Sequence, residues 1–266
     1  MNNIDQLCLS TTVFGPETPE LSLEEMIQRV ATAGYKFVEL SRKQHDLAGR
    51  SRFINEAGLR VWSIHGTLAD TAASPEEPLR RAAVMEEFKR MDDVAAFAPC
   101  PYVIHYVDRY LNPDYGRSFR KSVSELYQHA SPLGLVLAIE TAPYKPLQNE
   151  RYPDSAEIAA LVRSFAAPDL GMTIDINHSN INEKLSVVCD NCNGLIANVH
   201  ISDNYGEWED HLPPGQGVIP LAETFAALRH NGYAGPCNLE FHAQSAPYAE
   251  FLRNIKKDVE RQLGWL

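Results

Sequence analysis

Pro132-Leu133-Gly134-Leu135-Val136-Leu137-Ala138-Ile139-Glu140 is the stretch on which the fold turns. Gly134 supplies the left-handed residue that ends a helix. The unbroken apolar run after it suits a strand buried on both faces, as in a parallel sheet. An acid then stands directly at the strand's end. The same grammar recurs along the chain. Ala33-Gly34-Tyr35-Lys36 leads into Phe37-Val38-Glu39-Leu40, and Glu56-Ala57-Gly58 into Leu59-Arg60-Val61-Trp62-Ser63-Ile64. Asn231-Gly232-Tyr233-Ala234-Gly235 precedes Cys237-Asn238-Leu239-Glu240.

Working outward, eight strands are expected near Cys8–Phe14, Phe37–Leu40, Leu59–His65, Tyr102–Tyr106, Leu135–Glu140, Leu170–Asp175, Leu195–Ser202 and Pro236–Phe241. Between them run amphipathic stretches with apolar residues at helical spacing. Ser22-Leu23-Glu24-Glu25 is a capping box that opens a helix to about Ala33. Further helices are expected over Glu76–Phe97, Gly116–Ala130, Asp154–Phe165, Leu221–His230 and Ala246–Leu263, with a weaker pattern between Asn182 and Asn191. Strict strand–helix alternation specifies a parallel sheet, and eight repeats favour closure into a single (β/α)8 barrel of the α/β class. An open doubly wound sheet normally carries a Gly-rich phosphate loop after its first strand, and Phe14-Gly15-Pro16-Glu17 is no such loop. No linker interrupts the pattern, so residues 1–266 are expected to form one domain.

Bulk properties narrow the partners. With 24 Lys and Arg against 35 Asp and Glu, the net charge of −11 disfavours nucleic acid and anionic membranes. The longest apolar runs are strand-length, and Met1-Asn2-Asn3-Ile4-Asp5-Gln6 lacks the basic and apolar regions of a signal peptide. Five scattered cysteines, with one lone Cys189-x-x-Cys192, fit a reducing compartment. A cytoplasmic protein with a small-molecule substrate is the expectation.

The chemistry gathers at the strand ends. His65 closes strand three, His105 strand four, Glu140 strand five, Asp175 strand six, His200 strand seven and Glu240 strand eight. In this fold the C-terminal ends of the strands ring the active-site mouth. Three carboxylates gathered at an apolar barrel mouth would resist ionisation unless paired. A divalent cation held by Glu140, Asp175, His200 and Glu240 resolves that conflict. The oxygen-rich set with one nitrogen suits Mn2+ best, with Co2+, Mg2+ or Zn2+ as alternatives. Trp62, Tyr106 and Trp208 are candidates to wall a polyol ring.

Ile174-Asp175-Ile176-Asn177-His178, Val199-His200-Ile201-Ser202-Asp203-Asn204, Asp210-His211-Leu212-Pro213-Pro214-Gly215-Gln216-Gly217 and Leu239-Glu240-Phe241 resemble the xylose isomerase-like superfamily of barrels. That superfamily contains sugar isomerases and epimerases, inosose isomerases and dehydratases, and endonuclease IV, and its members often form homo-oligomers. Resemblance to the ketose 3-epimerases implies that Glu140 and Glu240 are both metal ligands and the catalytic acid/base pair. They would pass a proton through a metal-bound enediolate. Asp175 and His200 would complete the metal shell, and His178 would contact a substrate oxygen. His65, His105 and His211 would also face the substrate. The same chemistry followed by loss of a β-leaving group would make the protein a lyase or dehydratase on a keto-sugar or cyclic polyol.

One position departs from the epimerases, which carry an arginine six residues after the strand-seven histidine. Here that residue is Gly206. Resemblance to endonuclease IV implies a different use of the same mouth: three zinc ions held by His65, His105, Glu140, Asp175, His178, His200, Glu209, His211 and Glu240, with Glu209 in place of an aspartate. The sparse basic residues expected near the mouth, Arg42, Lys43, Arg109, Lys145 and Arg151, make a poor phosphate groove. An inactive binding subunit fits least, because both candidate acid/base glutamates are present.

Overall fold

A computed structural model describes residues 6–15, 21–44, 46–107, 113–142, 153–243 and 248–265. Eight parallel strands close into a barrel in chain order: β1 Leu7–Ser10, β2 Phe37–Leu40, β3 Arg60–His65, β4 Cys100–His105, β5 Leu135–Glu140, β6 Leu170–Asp175, β7 Ile196–Ile201 and β8 Cys237–Leu239. The helices are α1 Leu23–Thr32, α2 Ser51–Glu56, α3 Glu77–Val94, α4 Pro113–Ala130, α5 Ser155–Arg163, α6 Ile176–Asn180, α7 Leu185–Asn191, α8 Leu221–His230 and α9 Ala249–Gln262. None among the described residues is long and apolar enough to cross a membrane.

Local chemistry sets these boundaries. The Ser22 hydroxyl accepts from Glu25 N, and the Glu25 carboxylate accepts from Ser22 N, closing the capping box that starts α1. Gly134, at φ 77°, turns the chain from the end of α4 into β5. Outward side chains such as Val38, Ile104, Ile139, Ile174 and Val199 are buried in the layer between barrel and helices. The five cysteines are free and buried.

The expected strands hold, with three differences. β1 ends at Ser10, four residues early, because the Ser10 hydroxyl accepts from Thr12 N and caps a 3-10 turn over Thr11–Phe14. The weak helical pattern after Asn182 is α7, and it is preceded by α6, which Asp175 caps. The expected start of the last helix, Ala246, lies outside the described residues; the helix runs over Ala249–Gln262.

Trp62 also requires a correction. The register moves from Val38↔Val61 to Glu39↔Ser63, so Trp62 is the extra residue of a β-bulge. Its ring sits edge-on to Phe37, at the N-terminal end of β2, with centroids 6.1 Å apart. Its Nε1–H donates to Asn198 Oδ1 across the barrel at 2.9 Å. Gly235, just before β8, is close enough that a Cβ there would lie 2.5 Å from the indole. Trp62 therefore packs the floor of the barrel, at the end opposite the mouth. Trp62→Ala is expected to destabilise the chain by about 3–5 kcal/mol. Urea unfolding would measure this, with metal affinity of the folded fraction unchanged.

Candidate metal centre and barrel mouth

The strand register brings the candidate ligands together. His105 pairs with Glu140 between β4 and β5, and Asp175 with His200 between β6 and β7. Glu240 lies one residue beyond β8, where its N–H still donates to Ile201 O at 2.9 Å. Glu140, Asp175, His200 and Glu240 are all buried, and each offers a ligand atom within 4.8 Å of the others. His200 Nδ1 is 3.0 Å from Glu140 Oε1, 2.8 Å from Glu240 Oε2 and 4.0 Å from Asp175 Oδ2.

The second oxygens of these carboxylates are used unevenly. Asp175 Oδ1 accepts from Asn177 N and His178 N at the start of α6, whereas buried Oδ2 has no hydrogen-bond partner among the described residues. Glu140 Oε2 lies 3.1 Å from His105 Nε2 and 3.3 Å from His65 Nε2, without hydrogen-bond geometry to either. Glu240 Oε1 accepts from Thr12 Oγ1 at 3.2 Å. An orphaned carboxylate oxygen beside two more carboxylates and an imidazole is a donor set that fits a divalent cation.

Two further groups flank this one. His65, His105 and Glu140 form one, and His178, Glu209 and His211 the other. Glu140 is shared between the first and the central group. Three of the histidines set their rings on backbone carbonyls. His65 Nδ1 is 3.0 Å from Gly66 O, His178 Nδ1 3.0 Å from Thr141 O, and His211 Nδ1 3.2 Å from Glu240 O. A carbonyl only accepts, so each of these Nδ1 atoms carries the hydrogen and Nε2 is left for the mouth. His178 Nε2 is 3.2 Å from Glu209 Oε2.

The electrostatics follow from burial against charge. Burial works against the His200 imidazolium, but Glu240, Glu39 and Glu140 around it hold its pKa well above the ordinary value. Burial likewise opposes charge on Glu140 and Glu240. The imidazoles, His105 and His200 for Glu140 and His200 for Glu240, overcome it and hold both carboxyls below the usual range. Burial dominates at Asp175 and raises it. His178 is pushed up to about 10, because Asp175, Glu209 and Glu140 outweigh its burial.

The loop after β7 carries the rest of the rim. Buried Asp203 accepts from Asn204 N, Gly215 N, Gly217 N and Ile219 N, tying the Pro-Pro-Gly-Gln-Gly stretch back onto β7. A Cβ on Gly217 would lie 2.2 Å from Asn204 O, so only glycine fits that approach. His211 sits in this loop at φ 48°, a strained position for a non-glycine residue. His242, which the sequence did not single out, stacks on His211 with centroids 4.7 Å apart. Trp208 is 57% exposed beside Glu209. Tyr106 needs correction as a mouth residue. It follows inward-facing His105, so strand alternation turns it toward the helices, where it packs edge-on to Phe119 at 4.7 Å. Arg42 and Lys43 are exposed beyond β2, while Arg109, Lys145 and Arg151 lie outside the described residues.

Sequence reasoning passed over Glu39, an acid within the apolar run of β2. It is fully buried and lies 2.9 Å from His200 Nε2. Its only visible signal is a charge where a two-sided buried strand should be apolar.

Comparisons with known proteins agree with the barrel fold. The family model for the xylose isomerase-like TIM barrel matches residues 27–266. The chain is 26% identical over 250 residues to L-ribulose-5-phosphate 3-epimerase UlaE of Escherichia coli O1:K1 / APEC, covering 85% of each chain. Among solved structures it superposes on a D-tagatose 3-epimerase-like protein with a TM-score of 0.81 at 18% identity, covering 98% of both chains. An L-ribulose 3-epimerase gives a TM-score of 0.81 at 16% identity, covering 98% of this chain and 95% of the other.

A pH dependence follows for the metal-free protein. Its folded state keeps the His178 proton up to about pH 10, whereas the ordinary histidine value is 6.5. The resulting stabilisation is complete below pH 6.5 and is lost as pH rises through about 10. Chelator-treated protein should show a falling thermal midpoint across that window, and His178→Asn should flatten the fall. An unaltered slope in the variant would remove His178 as the cause.

Proposed function

This chain belongs to the xylose isomerase-like TIM-barrel family, and on that premise we propose that it is a divalent-metal-dependent isomerase or epimerase. The substrate class is an unphosphorylated sugar, keto-polyol or related hydroxy-carbonyl compound. The observation that carries this reading is the pair Glu140 and Glu240, whose carboxylates lie 3.0 and 2.8 Å from His200 Nδ1 beside Asp175 Oδ2, which has no hydrogen-bond partner among the described residues. Two carboxylates at one reaction centre can divide the removal and return of a carbon-bound proton between them.

Glu140, Asp175, His200 and Glu240 would hold the cation, with Mn2+ the best match to the donor set. Bound there, it would withdraw electron density from a substrate carbonyl and acidify the neighbouring C–H. One of the two glutamates takes that proton, leaving an enediolate. The other returns a proton to the opposite face, giving the epimer, or to the adjacent carbon, giving the isomer. His65, His105, His178 and His211 line the mouth and offer hydrogen bonds to hydroxyl groups. Trp208 stands at the rim, placed to cover a bound ring. The relative named for a phosphorylated pentulose raises the question of a phosphate. The imidazole-rich mouth and the net charge of −11 favour a neutral polyol. Departure of a β-leaving group from the same enediolate would give a dehydratase.

The test is solvent deuterium incorporation into a panel of ketoses and keto-polyols, free and phosphorylated, with Mn2+ supplied. Exchange is expected with a neutral member of the panel. Glu140→Gln and Glu240→Gln should each lower it by about 100-fold or more while metal stays bound. Robust exchange in both variants would sink the two-glutamate mechanism.

A second reading rests on the three adjoining groups that could each hold a metal ion, a donor set that would also suit a trinuclear zinc phosphodiesterase. Metal content per chain, measured by mass spectrometry on protein purified without added metal, separates the two. About one ion per chain supports the isomerase, and about three zinc ions would make cleavage of abasic-site DNA the first assay. The acidic surface weighs against the second outcome.

A further inference from the structure

His200 differs from three of the other mouth histidines in how its ring is held. His65, His178 and His211 each rest Nδ1 on a backbone carbonyl and turn Nε2 toward the mouth. His200 is reversed: Nδ1 faces Glu140, Asp175 and Glu240, and Nε2 points down into the barrel. What it meets there is the side chain of Glu39, reaching across the interior from β2 to β7.

Glu39 has 0% exposure, and its environment supplies little to offset a buried charge. Oε2 accepts from Ser63 Oγ at 2.6 Å and faces His200 Nε2 at 2.9 Å. Oε1 has no hydrogen-bond partner among the described residues. Burying a carboxylate is costly unless a partner compensates, and among the described residues the one imidazole or cation it meets is His200. Removing solvent from so poorly matched an acid makes little sense as packing. It makes sense if the acid acts on the imidazole.

We propose that Glu39 is a positioning residue for the metal centre: its carboxylate holds the Nε2–H of His200, fixing the tautomer and ring orientation that present Nδ1 to Glu140, Asp175 and Glu240. This rests on the metal-centre reading above. An ionised carboxylate accepts only, so the hydrogen in the contact belongs to Nε2, and the neutral ring then has its lone pair on Nδ1. The negative charge behind the ring also makes Nδ1 a stronger ligand. Ser63 aims the carboxylate, and the His65 ring stacks with that of His200 at 5.8 Å between centroids.

The experiment compares wild type, Glu39→Gln and Glu39→Leu, all prepared metal-free. Mn2+ and Zn2+ dissociation constants come from chelator competition, and thermal midpoints of the metal-free forms report on folding. In zinc-loaded protein with 15N-labelled histidine, NMR reads which His200 nitrogen carries the proton. The wild type should show Nε2 protonated and Nδ1 metal-shifted. Glu39→Leu should bind roughly 10- to 100-fold more weakly and lose the single tautomer. Glu39→Gln, which keeps the volume and an acceptor but not the charge, should fall between. A purely structural glutamate would change the midpoint and leave the affinities alone. Wild-type affinity in both variants, or a wild-type His200 without the Nε2 proton, overturns the proposal. If Glu39→Leu does not fold, unchanged affinity in Glu39→Gln overturns it. A wild type that binds neither ion brings down the metal-centre reading itself, an outcome distinct from wild-type binding that the Glu39 variants retain.

Discussion

The rest of the structure depends on one electrostatic conflict. Glu140, Asp175 and Glu240 converge on a single imidazole in a mouth where none of the four is exposed to an appreciable extent. Carboxylates this close cannot all ionise without compensation. Much of the surrounding machinery supplies it. Imidazoles of His65, His105 and His200 stand against Glu140, the first turn of α6 takes one oxygen of Asp175, and Thr12 takes one of Glu240. What remains, among the described residues, is one oxygen on Asp175 and one on Glu140 without a hydrogen bond. A donor set with this conflict, buried in the barrel mouth, could hold a cation.

Only a closed parallel sheet could assemble this set from residues as far apart in the chain as Glu140 and Glu240. Strand alternation sends every second side chain inward, and closure makes those side chains share one interior. The supports are then local. Arg90 donates to the carbonyls of Ser41, Gln44 and His65, while Glu87 accepts from Thr67 and Tyr102, so the chain around His65 is held from the helix layer. Asp203 performs the same task for the loop bearing Glu209 and His211. Those two stretches of the mouth are thereby tied to the barrel, and ligand geometry of this kind tolerates little play.

Reaction class is a question about what fills the flanks of that centre. A single cation would leave its two glutamate ligands, Glu140 and Glu240, to move protons at carbon. Ions in all three groups would instead stabilise charge on phosphorus and use up those glutamates and histidines as ligands. The residue types allow both, because histidine and glutamate serve equally as ligands, proton carriers and hydrogen-bond donors or acceptors. Surface charge is the discriminating term: an acidic protein must overcome long-range repulsion to bring a polyanion to its mouth. A neutral polyol meets no such barrier.

The sequence by itself determined the barrel and the outline of its mouth. Apolar strand runs ended by ionisable residues are a one-dimensional pattern, and His65, His105, Glu140, Asp175, His200 and Glu240 lie where that pattern puts them. Trp62 and Tyr106 were misplaced because their direction depends on a bulge and on strand phase, which neighbouring strands settle. The early end of β1 depended on a hydroxyl capping its own chain. Glu39 was legible only as an oddity, an acid in a buried strand. Its meaning lies in a contact between β2 and β7, which come together only when the sheet closes. Local patterning dictates which side chains point inward. What each meets there is decided by tertiary structure, because the partners come from strands far apart in the chain.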